Sequence, residues 1–373
     1  MTRSTMPNQV TGPVHPGVPQ EAGRRLQRAR EEFAAEGIYL NTATLGLPPR
    51  RAWRALQAAL ADWRAGTADA VQYDVPLAAA RSCYAALVGV DPAAVAVGSQ
   101  VSVFAGLVAA ALPDGSEVLT AAGDFTSILF PFHAQAGRGV IVREVPLDRL
   151  ADAVTPRTAL VSVSAVQSAD GRLTDLAQLE AACAVHGTRV LLDTTQGVGW
   201  LPVDASRFAY TTGGGYKWLL SPRGTAYFTV QPERLDELVP NNAGWYAGES
   251  RWDSIYGAPL RLAADARRFD VSPAWHSWIG AAPALELLAE VGVPALHAHA
   301  LGLAEQFRVA TGLPPGNSAI VSAVADAQVP DLMAAARISG AVRAGRLRLA
   351  FHVNNGEDDA DRAAEALRGH LRP

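Results

Sequence analysis

Cysteine is scarce in this chain: its 373 residues include two, Cys83 and Cys183. Each lies in a stretch with a helical pattern, AARSCYAALVG and LEAACAVHG. A disulfide framework or a structural zinc site needs more cysteines than this. The sequence therefore predicts no bound metal and a reducing compartment, the cytoplasm.

A strong net charge and long apolar runs are lacking too. The formal net charge is −4, which predicts no attraction to nucleic acid or to an anionic membrane. No run stays apolar over the roughly 20 residues that a membrane span requires. Residues 1–20 hold no apolar core of signal-peptide length, and we expect them to form a flexible tail. Neither nucleic acid nor a membrane is expected as a partner.

Lysine is rarer still. Of 32 lysine and arginine residues, only Lys217 is a lysine. Arginine stays protonated at any working pH, whereas a buried lysine can lose its proton and form a Schiff base. The one position that keeps lysine is therefore a candidate for amine chemistry. A strong arginine bias could also leave one stray surface lysine, and composition alone does not decide between the two.

Short apolar runs alternate with helical patterns between Ala94 and Val230. The predicted strands are AVAVG at 94–98, EVLTA at 117–121, GVIVREV at 139–145, ALVSVS at 159–164, RVLLD at 189–193, FAYTT at 208–212 and GTAYFTV at 224–230. This alternation is typical of an α/β fold, a mostly parallel seven-stranded sheet with helices on its faces. The last two runs lie too close together for a helical crossover, so GTAYFTV should run antiparallel.

The pattern changes after Gln231. An irregular stretch rich in Gly, Trp and Arg leads to helical patterns near 275–291 and 294–311, then to a short strand pair and an amphipathic helix. The sequence predicts a large domain over residues 46–240 and a smaller α+β domain over residues 241–373. Residues 21–45 are expected to pack on the small domain.

Asp193 ends the strand RVLLD, and Gln196 follows three residues later. Ligands of open α/β sheets gather at the carboxyl ends of strands. A carboxylate and an amide at this spacing suit a heteroaromatic ring, with Asp193 paired to a protonated ring nitrogen and Gln196 to a ring oxygen. Such an aspartate also caps turns, and the motif taken alone favours that interpretation.

Lys217 comes two residues after the run Gly213-Gly214-Gly215. Glycines let backbone approach a ligand closely, and neighbouring hydroxyls can bind phosphate. A plain tight turn is the alternative. Because the only lysine follows the run so closely, we favour a ligand site here.

The block LLDTTQGVGWLPVDASRFAYTTGGGYKWLLSPRGTAYF, which begins two residues before Asp193, resembles the cofactor block of class V aminotransferases. These are fold-type-I pyridoxal-phosphate enzymes related to cysteine desulfurases, kynureninases and isopenicillin N epimerases. The resemblance extends from YLNTATLGLPP near Tyr39 to LRLAFHVNN near Arg348. It implies pyridoxal 5'-phosphate as cofactor, an amino acid as substrate, and a homodimer with active sites at the subunit interface.

The same resemblance implies roles for residues around the cofactor ring. Lys217 would form the internal aldimine and later move the substrate Cα proton. Asp193 would keep the pyridine nitrogen protonated, so that the ring accepts electrons. Gln196 and Ser168 would contact the phenolic oxygen. Phe125 would stack on the ring, although a buried core phenylalanine is the alternative.

Other residues would hold the phosphate and the substrate. Gly98-Ser99-Gln100 lies between a strand and a helix, where backbone N–H groups favour phosphate; an ordinary N-cap serine is the alternative. Tyr216 would add a hydroxyl, and Ser272 of the partner subunit a further contact. Arg348 would grip the substrate carboxylate through a bidentate fork. Arg346 lies on the same face of the strand and could be confused with it.

The cofactor supplies the carbanion chemistry, and the protein selects the reaction. Transamination needs only Lys217 and is the first expectation. Elimination by a carbon–sulfur lyase needs only a leaving group and follows closely. Epimerisation needs a second acid–base group, which nothing in the sequence identifies. A non-catalytic sensor comes last, because the N-terminal tail is too short for an effector domain.

Two departures from the desulfurase pattern bear on this choice. The chain has no cysteine after Cys183 to accept sulfur, and Phe125 stands where desulfurases commonly stack a histidine. Phenylalanine cannot exchange protons. On these grounds the sequence predicts that the protein is not a persulfide-forming cysteine desulfurase.

Overall fold

The computed structural model describes residues 20–373. The predicted tail, residues 1–20, lies outside this range except for Gln20, which begins the first helix. The α-helices of the described range are α1 (Gln20–Arg30), α2 (Arg50–Ala65), α3 (Asp74–Val88), α4 (Val101–Ala111), α5 (Phe130–His133), α6 (Leu176–His186), α7 (Trp275–Val291), α8 (Val293–Thr311), α9 (Val329–Ala335) and α10 (Glu357–Leu367). The strands are β1 (Ile38–Tyr39), β2 (Val95–Gly98), β3 (Glu117–Ala121), β4 (Ile141–Val145), β5 (Thr158–Ser164), β6 (Arg189–Asp193), β7 (Tyr210–Gly214), β8 (Ala226–Val230), β9 (Ile320–Ala325), β10 (Ile338–Ser339), β11 (Ala341–Arg343), β12 (Arg346–Ala350) and β13 (Leu371–Arg372).

Seven of these strands form the large sheet, in the order β2-β8-β7-β6-β5-β3-β4. Neighbouring strands are parallel except at β8, which runs antiparallel to β2 and β7. The predicted α/β fold with a mostly parallel seven-stranded sheet is confirmed, as is the antiparallel direction of GTAYFTV. The strand predicted at 208–212 lies two residues further on, because Gly213 and Gly214 pair with β8 instead of starting a loop.

Helices cover both faces of this sheet. On β6, Leu192 belongs to the hydrophobic cluster that includes Tyr84 of α3 and Leu285 of α7. Its neighbour Leu191 belongs to a second cluster, which includes Phe104 of α4. Successive side chains of a strand point to opposite faces, so β6 buries apolar side chains in both clusters.

The C-terminal part contains a four-stranded antiparallel sheet in the order β11-β12-β9-β13. Helices α8 and α10 pack on it through a third cluster that includes Phe307 and Leu367. The N-terminal segment joins this region, because Ile38 of β1 pairs with Ile338 of β10 in parallel. The domain boundaries 46–240 and 241–373 stay a prediction.

No single helix among residues 20–373 is both long and apolar enough to cross a bilayer; α7 and α8 meet that criterion only when taken together, and they are bent by 84° at their junction. No group of three or more His, Cys, Asp or Glu side chains in this range is arranged to hold a metal ion.

A buried ion pair connects α3 and β2 with the segment around Asp270. Arg81 of α3 donates to Asp270 over 2.6 Å and 3.2 Å, and the backbone N–H of Val97 on β2 donates to the same carboxylate over 2.9 Å. Both side chains are buried. A buried charge that loses its partner is strongly unfavourable, so this pair should be a sensitive point of the fold.

Replacing Arg81 with methionine should lower the free energy of unfolding by about 3 kcal/mol, because buried Asp270 would lose its hydrogen-bonded cation and keep only the 3.9 Å contact with Arg251. Urea denaturation followed by far-UV circular dichroism measures this. Arg362→Met is the control, since it removes an exposed pair with Asp358 and should cost less than about 1 kcal/mol. Equal losses in the two variants would contradict the prediction.

Candidate functional site

A cavity of about 340 Å³ opens at the carboxyl edge of the large sheet. Ser164, Asp193 and Gly214 end strands β5, β6 and β7, and all three reach it. The cavity is lined by Ser99, Gln100, Val101, Ser102, Phe125, Ser127, Ser164, Ser168, Asp193, Thr195, Gln196, Gly214, Tyr216, Lys217, Arg223, Gly224 and Thr225. Parallel strands end at one edge of their sheet, which is why residues distant in sequence meet here.

Most of the residues predicted for the site line this one cavity. These are Ser99, Gln100, Phe125, Ser168, Asp193, Gln196, Tyr216 and Lys217. Two predicted residues do not line it. Arg348 donates to Ser168, which lines the cavity, and Ser272 is exposed on the segment before α7. Their roles, like those of the other site residues, stay predictions.

Asp193 is a buried carboxylate at the end of β6, with 4% of its surface exposed. It accepts a hydrogen bond from the backbone N–H of Thr195 over 2.8 Å. Burial raises the pKa of Asp193 to about 6; that hydrogen bond opposes the rise, and the carboxylate of Asp124 adds to it. A raised pKa means that this carboxyl gains from a cationic or proton-sharing partner.

Lys217 is similarly buried, with 5% of its surface exposed. Burial lowers the pKa of Lys217 to about 8, against the attraction of Asp193, and the nearby charges of Arg348, Arg343 and Arg223 lower it further. Near pH 8 a large share of the amine is therefore neutral and nucleophilic.

The turn that carries Lys217 is fixed by the N-terminal segment. Gly46 donates its N–H to the carbonyl of Tyr216 over 2.9 Å. A Cβ at Gly46 would lie 2.1 Å from the Lys217 carbonyl oxygen, so only glycine allows this approach. Leu220, which closes the turn by donating to the Lys217 carbonyl, has a positive φ of 56°. For a leucine this conformation is strained, and strain of this kind is concentrated at functional sites.

Phe125 presents an aromatic face to the cavity. Its side chain is 43% exposed, and its ring centroid lies 5.2 Å from Nζ of Lys217. A phenylalanine buried in the core is therefore the wrong interpretation. A flat, exposed ring beside the lysine is suited to stacking on another flat ring.

The predicted phosphate turn lies between β2 and α4, as expected. Helix α4 begins at Val101, and Gln100 precedes it without capping it through its side chain. The first N–H groups of the helix are therefore open to an anion, which the helix dipole favours. Arg223 also lines the cavity and stacks on the ring of Tyr216, 4.9 Å from its centroid. This arginine is not among the residues predicted from the sequence.

Gln196 is held by three hydrogen bonds. Its Oε1 accepts from Nε1 of Trp218 over 2.8 Å, and its Nε2 donates to the Ala43 carbonyl over 3.0 Å and to Oγ of Ser168 over 2.9 Å. Because an indole can only donate and a carbonyl can only accept, these partners fix the amide orientation. Both amide hydrogens are then engaged, so the hydroxyl of Ser168 carries the hydrogen that can turn towards a ligand oxygen.

Arg348 is 2% exposed and belongs to β12. It donates to the carbonyl and to Oγ of Ser168, and to Oγ1 of Thr44 over 2.7 Å. Burial, with repulsion from Arg343, lowers the pKa of Arg348 to about 10. Arg346 instead donates to the Ser322 hydroxyl over 3.0 Å. The two arginines of β12 can therefore be told apart by their hydrogen-bond partners.

Asp124 is a second carboxylate near Asp193, and it was not predicted from the sequence. It accepts from the backbone N–H of Phe125 over 2.7 Å, from the hydroxyl of Ser164 over 2.6 Å and from the amide of Gln167 over 3.2 Å. It therefore links the turn that carries Phe125 to the loop that carries Ser168. Its signal in the sequence is a charged residue shortly after the apolar strand EVLTA.

The glycine run has a different explanation from the one predicted. A Cβ at Gly213 would lie 2.5 Å from Oγ1 of Thr194, and one at Gly215 would lie 2.4 Å from Oγ1 of Thr225. Both glycines are thus required by neighbouring protein groups. Of the three, only Gly214 lines the cavity, so close packing between strands accounts for the rest of the run.

The side chains present fit a flat heteroaromatic aldehyde that carries a phosphate. Lys217 is an amine of lowered pKa, and Asp193 is a carboxyl of raised pKa that a ring nitrogen could satisfy. Phe125 offers an exposed ring, and the start of α4 offers N–H groups that no side chain caps. The donor set of the cavity therefore matches the groups of pyridoxal phosphate.

Comparison with known proteins agrees with this donor set. The family model described as "Aminotransferase class-V" matches residues 94–325. The isopenicillin N epimerase of Streptomyces clavuligerus is 28% identical over 309 residues, which cover 75% of this chain and 76% of that protein. The kynureninase of Deinococcus radiodurans is 30% identical over 309 residues, covering 76% and 73% of the two chains.

Solved structures share the fold. The cystine C-S lyase C-DES, in complex with its reaction product cysteine persulfide, superposes with a TM-score of 0.80 at 23% identity, covering 91% of this chain and 99% of that one. A second structure of C-DES holds glycine covalently linked to its PLP cofactor. The cysteine desulfurase CsdA of Escherichia coli superposes with a TM-score of 0.78 at 21% identity, covering 92% and 97%.

These similarities correct one prediction. The exclusion of a persulfide-forming cysteine desulfurase is wrong, because a cysteine desulfurase and a lyase whose product is cysteine persulfide are among the chains of the same fold. The exclusion rested on the absence of a cysteine after Cys183 and on Phe125 standing where desulfurases commonly stack a histidine. That absence concerns only sulfur held on this chain's own thiol, whereas a persulfide can also leave as a small molecule.

Asp193→Asn should stabilise the cofactor-free protein above pH 6 by up to about 3 kcal/mol, the free energy that corresponds to the raised pKa. The native protein binds more protons than the unfolded chain between the unfolded pKa near 4 and the folded pKa near 6, so the wild type gains stability as pH falls through this window. Urea denaturation at pH 7.5 and at pH 4.5 should therefore show a difference that shrinks on acidification. A difference independent of pH would contradict the assigned cause.

Trp218→Phe should weaken cofactor binding about fivefold or more, because Gln196 would lose the donor that fixes its amide. Trp200→Phe is a matched control: Trp200 is also buried, but it donates to the backbone carbonyl of Gln196. Both changes should lower the free energy of unfolding by about 1–3 kcal/mol. Only Trp218→Phe should raise the dissociation constant measured by cofactor absorbance, and equal effects would argue against the orienting role.

Proposed function

Because the chain belongs to the class V aminotransferase family and its cofactor is pyridoxal 5'-phosphate, we propose that it is an aminotransferase acting at the Cα of an amino acid. The observation that carries the proposal is the pair Lys217 and Asp193, buried in one cavity with pKa values moved to about 8 and about 6. Paired groups with shifted pKa values in a cleft are typical of a catalytic site.

Each residue of the pair has a distinct task. Lys217, through its neutral fraction, would hold the cofactor by its aldehyde and would take the proton at the substrate Cα. Asp193 would keep the ring nitrogen protonated. Pyridoxal phosphate, when bound, supplies the electron sink for the charge that develops at Cα. Phe125 covers one side of the site, and Arg348 orients the substrate through its carboxylate.

The acid–base inventory of the cavity favours transamination over epimerisation. Among the described residues that line it, the titratable side chains are those of Asp193, Tyr216, Lys217 and Arg223. Burial raises the pKa of the Tyr216 hydroxyl, which makes it a poor base near neutral pH. One residue, Lys217, is then left to remove and return a proton, which is what transamination requires.

A carbon–sulfur lyase is the second candidate, and the shared fold with a cystine C-S lyase favours it. In that reaction Lys217 takes the Cα proton, the Cβ–S bond breaks and sulfur leaves with the bonding pair. The unsaturated amino acid that remains is hydrolysed to a keto acid and ammonia. No further protein group is needed, so the same cavity would serve.

We also propose a homodimer in a reducing, cytoplasmic compartment. Trp53, Leu60 and Trp63 are exposed on one face of α2, and such a patch is typical of an interface. The exposed Ser272 lies outside its own chain's cavity, which suits a contribution to a second copy. Cys83 and Cys183 are both free thiols.

The test is the visible spectrum of the purified protein with pyridoxal phosphate, before and after adding amino acids without a keto acid. A yellow band that bleaches once and stays bleached, with the amino group retained, is the result expected of an aminotransferase. A band that persists while keto acid and ammonia accumulate would establish the lyase. Loss of optical rotation without keto acid would establish an epimerase.

Lys217→Ala should abolish the borohydride-stable attachment of the cofactor, because no other lysine exists. The attachment is measured by mass spectrometry of the reduced protein. Tyr216→Phe is the control and should keep the adduct. A yellow band that never forms in the wild-type protein would overturn the proposed function.

A further inference from the structure

Two arginines meet at the edge of the site. Arg348 donates to Oγ1 of Thr44 over 2.7 Å, and Arg343 donates to the same oxygen over 3.3 Å. The shared acceptor places the two guanidinium groups side by side. Like charges held this close repel each other, and the repulsion from Arg343 contributes to the lowered pKa of Arg348.

The strand register explains the meeting. Arg343 lies opposite Arg346, and Ala341 lies opposite Arg348, in the antiparallel pair β11–β12. Opposite residues share a face of the sheet, so Arg343 and Arg348 are diagonal neighbours on one face. The connecting residues Ala344 and Gly345 both have positive φ, as in a two-residue hairpin turn. This tight turn fixes where Arg343 stands.

Neither guanidinium has an acidic partner in the part of the chain that the structure describes. Apart from Thr44, Arg343 donates to the carbonyl of Val342 and Arg348 donates to Ser168. Most arginines whose contacts are described here are placed differently: Arg81, Arg143 and Arg189, for example, each pair with a carboxylate. Two adjacent cations without a counterion form a site that an anion would stabilise.

The charges of Arg343 and Arg348 both affect Lys217. Arg343 and Arg348 each lower the pKa of Lys217, and Arg348 contacts Ser168, which lines the cavity. Arg348 is buried and would be engaged by the carboxylate at Cα. Arg343 is exposed at the outer end of the hairpin, beside Arg348 through the shared Thr44 hydroxyl.

We propose that Arg343 is a second anion-binding arm beside Arg348, and that the preferred substrate is an amino acid with a second acidic group on its side chain. The inference rests on the proposed function, because it assigns the substrate class of the same cavity. It assigns one acid to each guanidinium: the carboxylate at Cα to Arg348 and the side-chain acid to Arg343.

Isosteric substrate pairs test the charge alone. The holoenzyme is assayed with glutamate against glutamine and with aspartate against asparagine, as the wild type, as Arg343→Gln and as Arg346→Gln. Arg346 lies on the same hairpin but donates to Ser322, so it is the matched control. The wild type should prefer the acidic member of at least one pair, and Arg343→Gln should reduce that preference about tenfold, chiefly through KM. Arg346→Gln should leave it unchanged.

A binding measurement makes the test independent of turnover. Calorimetric titration of the holoenzyme with glutarate and with succinate should show binding that Arg343→Gln weakens about tenfold and Arg346→Gln does not. Butyrate, which has one carboxylate, should bind the wild type and Arg343→Gln alike. No preference for acidic over neutral ligands in either measurement would overturn the inference. So would an equal loss for both classes in Arg343→Gln, since Arg343 would then serve the carboxylate at Cα.

The visible spectrum of the cofactor distinguishes failure of the Arg343 inference from failure of the proposed function. A yellow, lysine-linked cofactor with no selectivity for acidic ligands would overturn the second arm alone. Absence of the cofactor band would overturn the proposed function whatever the arginine variants bind.

Discussion

The parallel pairing of β6 with β7 is the constraint on which the site depends. It places Asp193 beside Thr212, so that the chain leaving β7 brings Lys217 back to the edge where Asp193 ends its strand. Each of the two would be unfavourable alone, because burial opposes a charge. Together they offset part of that cost. The turn around Lys217 is in turn held by Gly46, so the N-terminal segment takes part in building the site.

Around this pair, cations outnumber anions. Lys217 and Arg223 line the cavity together with Asp193. Arg348 and Asp124 add one charge of each sign nearby, and Asp124 already accepts from several donors. The start of α4 adds the positive end of a helix dipole. A site of this kind is built to receive anions, and both a phosphate and an amino-acid carboxylate meet that requirement. The electrostatics thus agree with the geometry without reference to any relative.

Much of this could be predicted from the sequence, since strand periodicity and a single lysine are local signals. The strands of the large sheet were predicted in this way, whereas the role given to Asp193 came from the family resemblance, because its motif alone favoured a turn cap. Asp124 was missed because its importance depends on donors of Ser164 and Gln167 that folding brings to it. The glycine run was misjudged because its crowding comes from Thr194 and Thr225, which are close only in three dimensions. The wrong exclusion of desulfurases came from treating a missing thiol as a missing reaction. Reaction class depends on what a cavity accommodates, which residue counts do not reveal.

The burial of the single lysine also shapes how the molecule behaves towards reagents. Aldehydes, including the cofactor itself in excess, form stable adducts with primary amines and not with guanidinium groups under ordinary conditions. Every lysine or arginine residue other than Lys217 is an arginine. The surface therefore offers no ε-amines that would compete for the cofactor. The same feature makes the native fold resistant to a protease that cleaves after lysine, because its one site, Lys217, is 5% exposed. Cleavage at that bond would report how often the active-site turn opens.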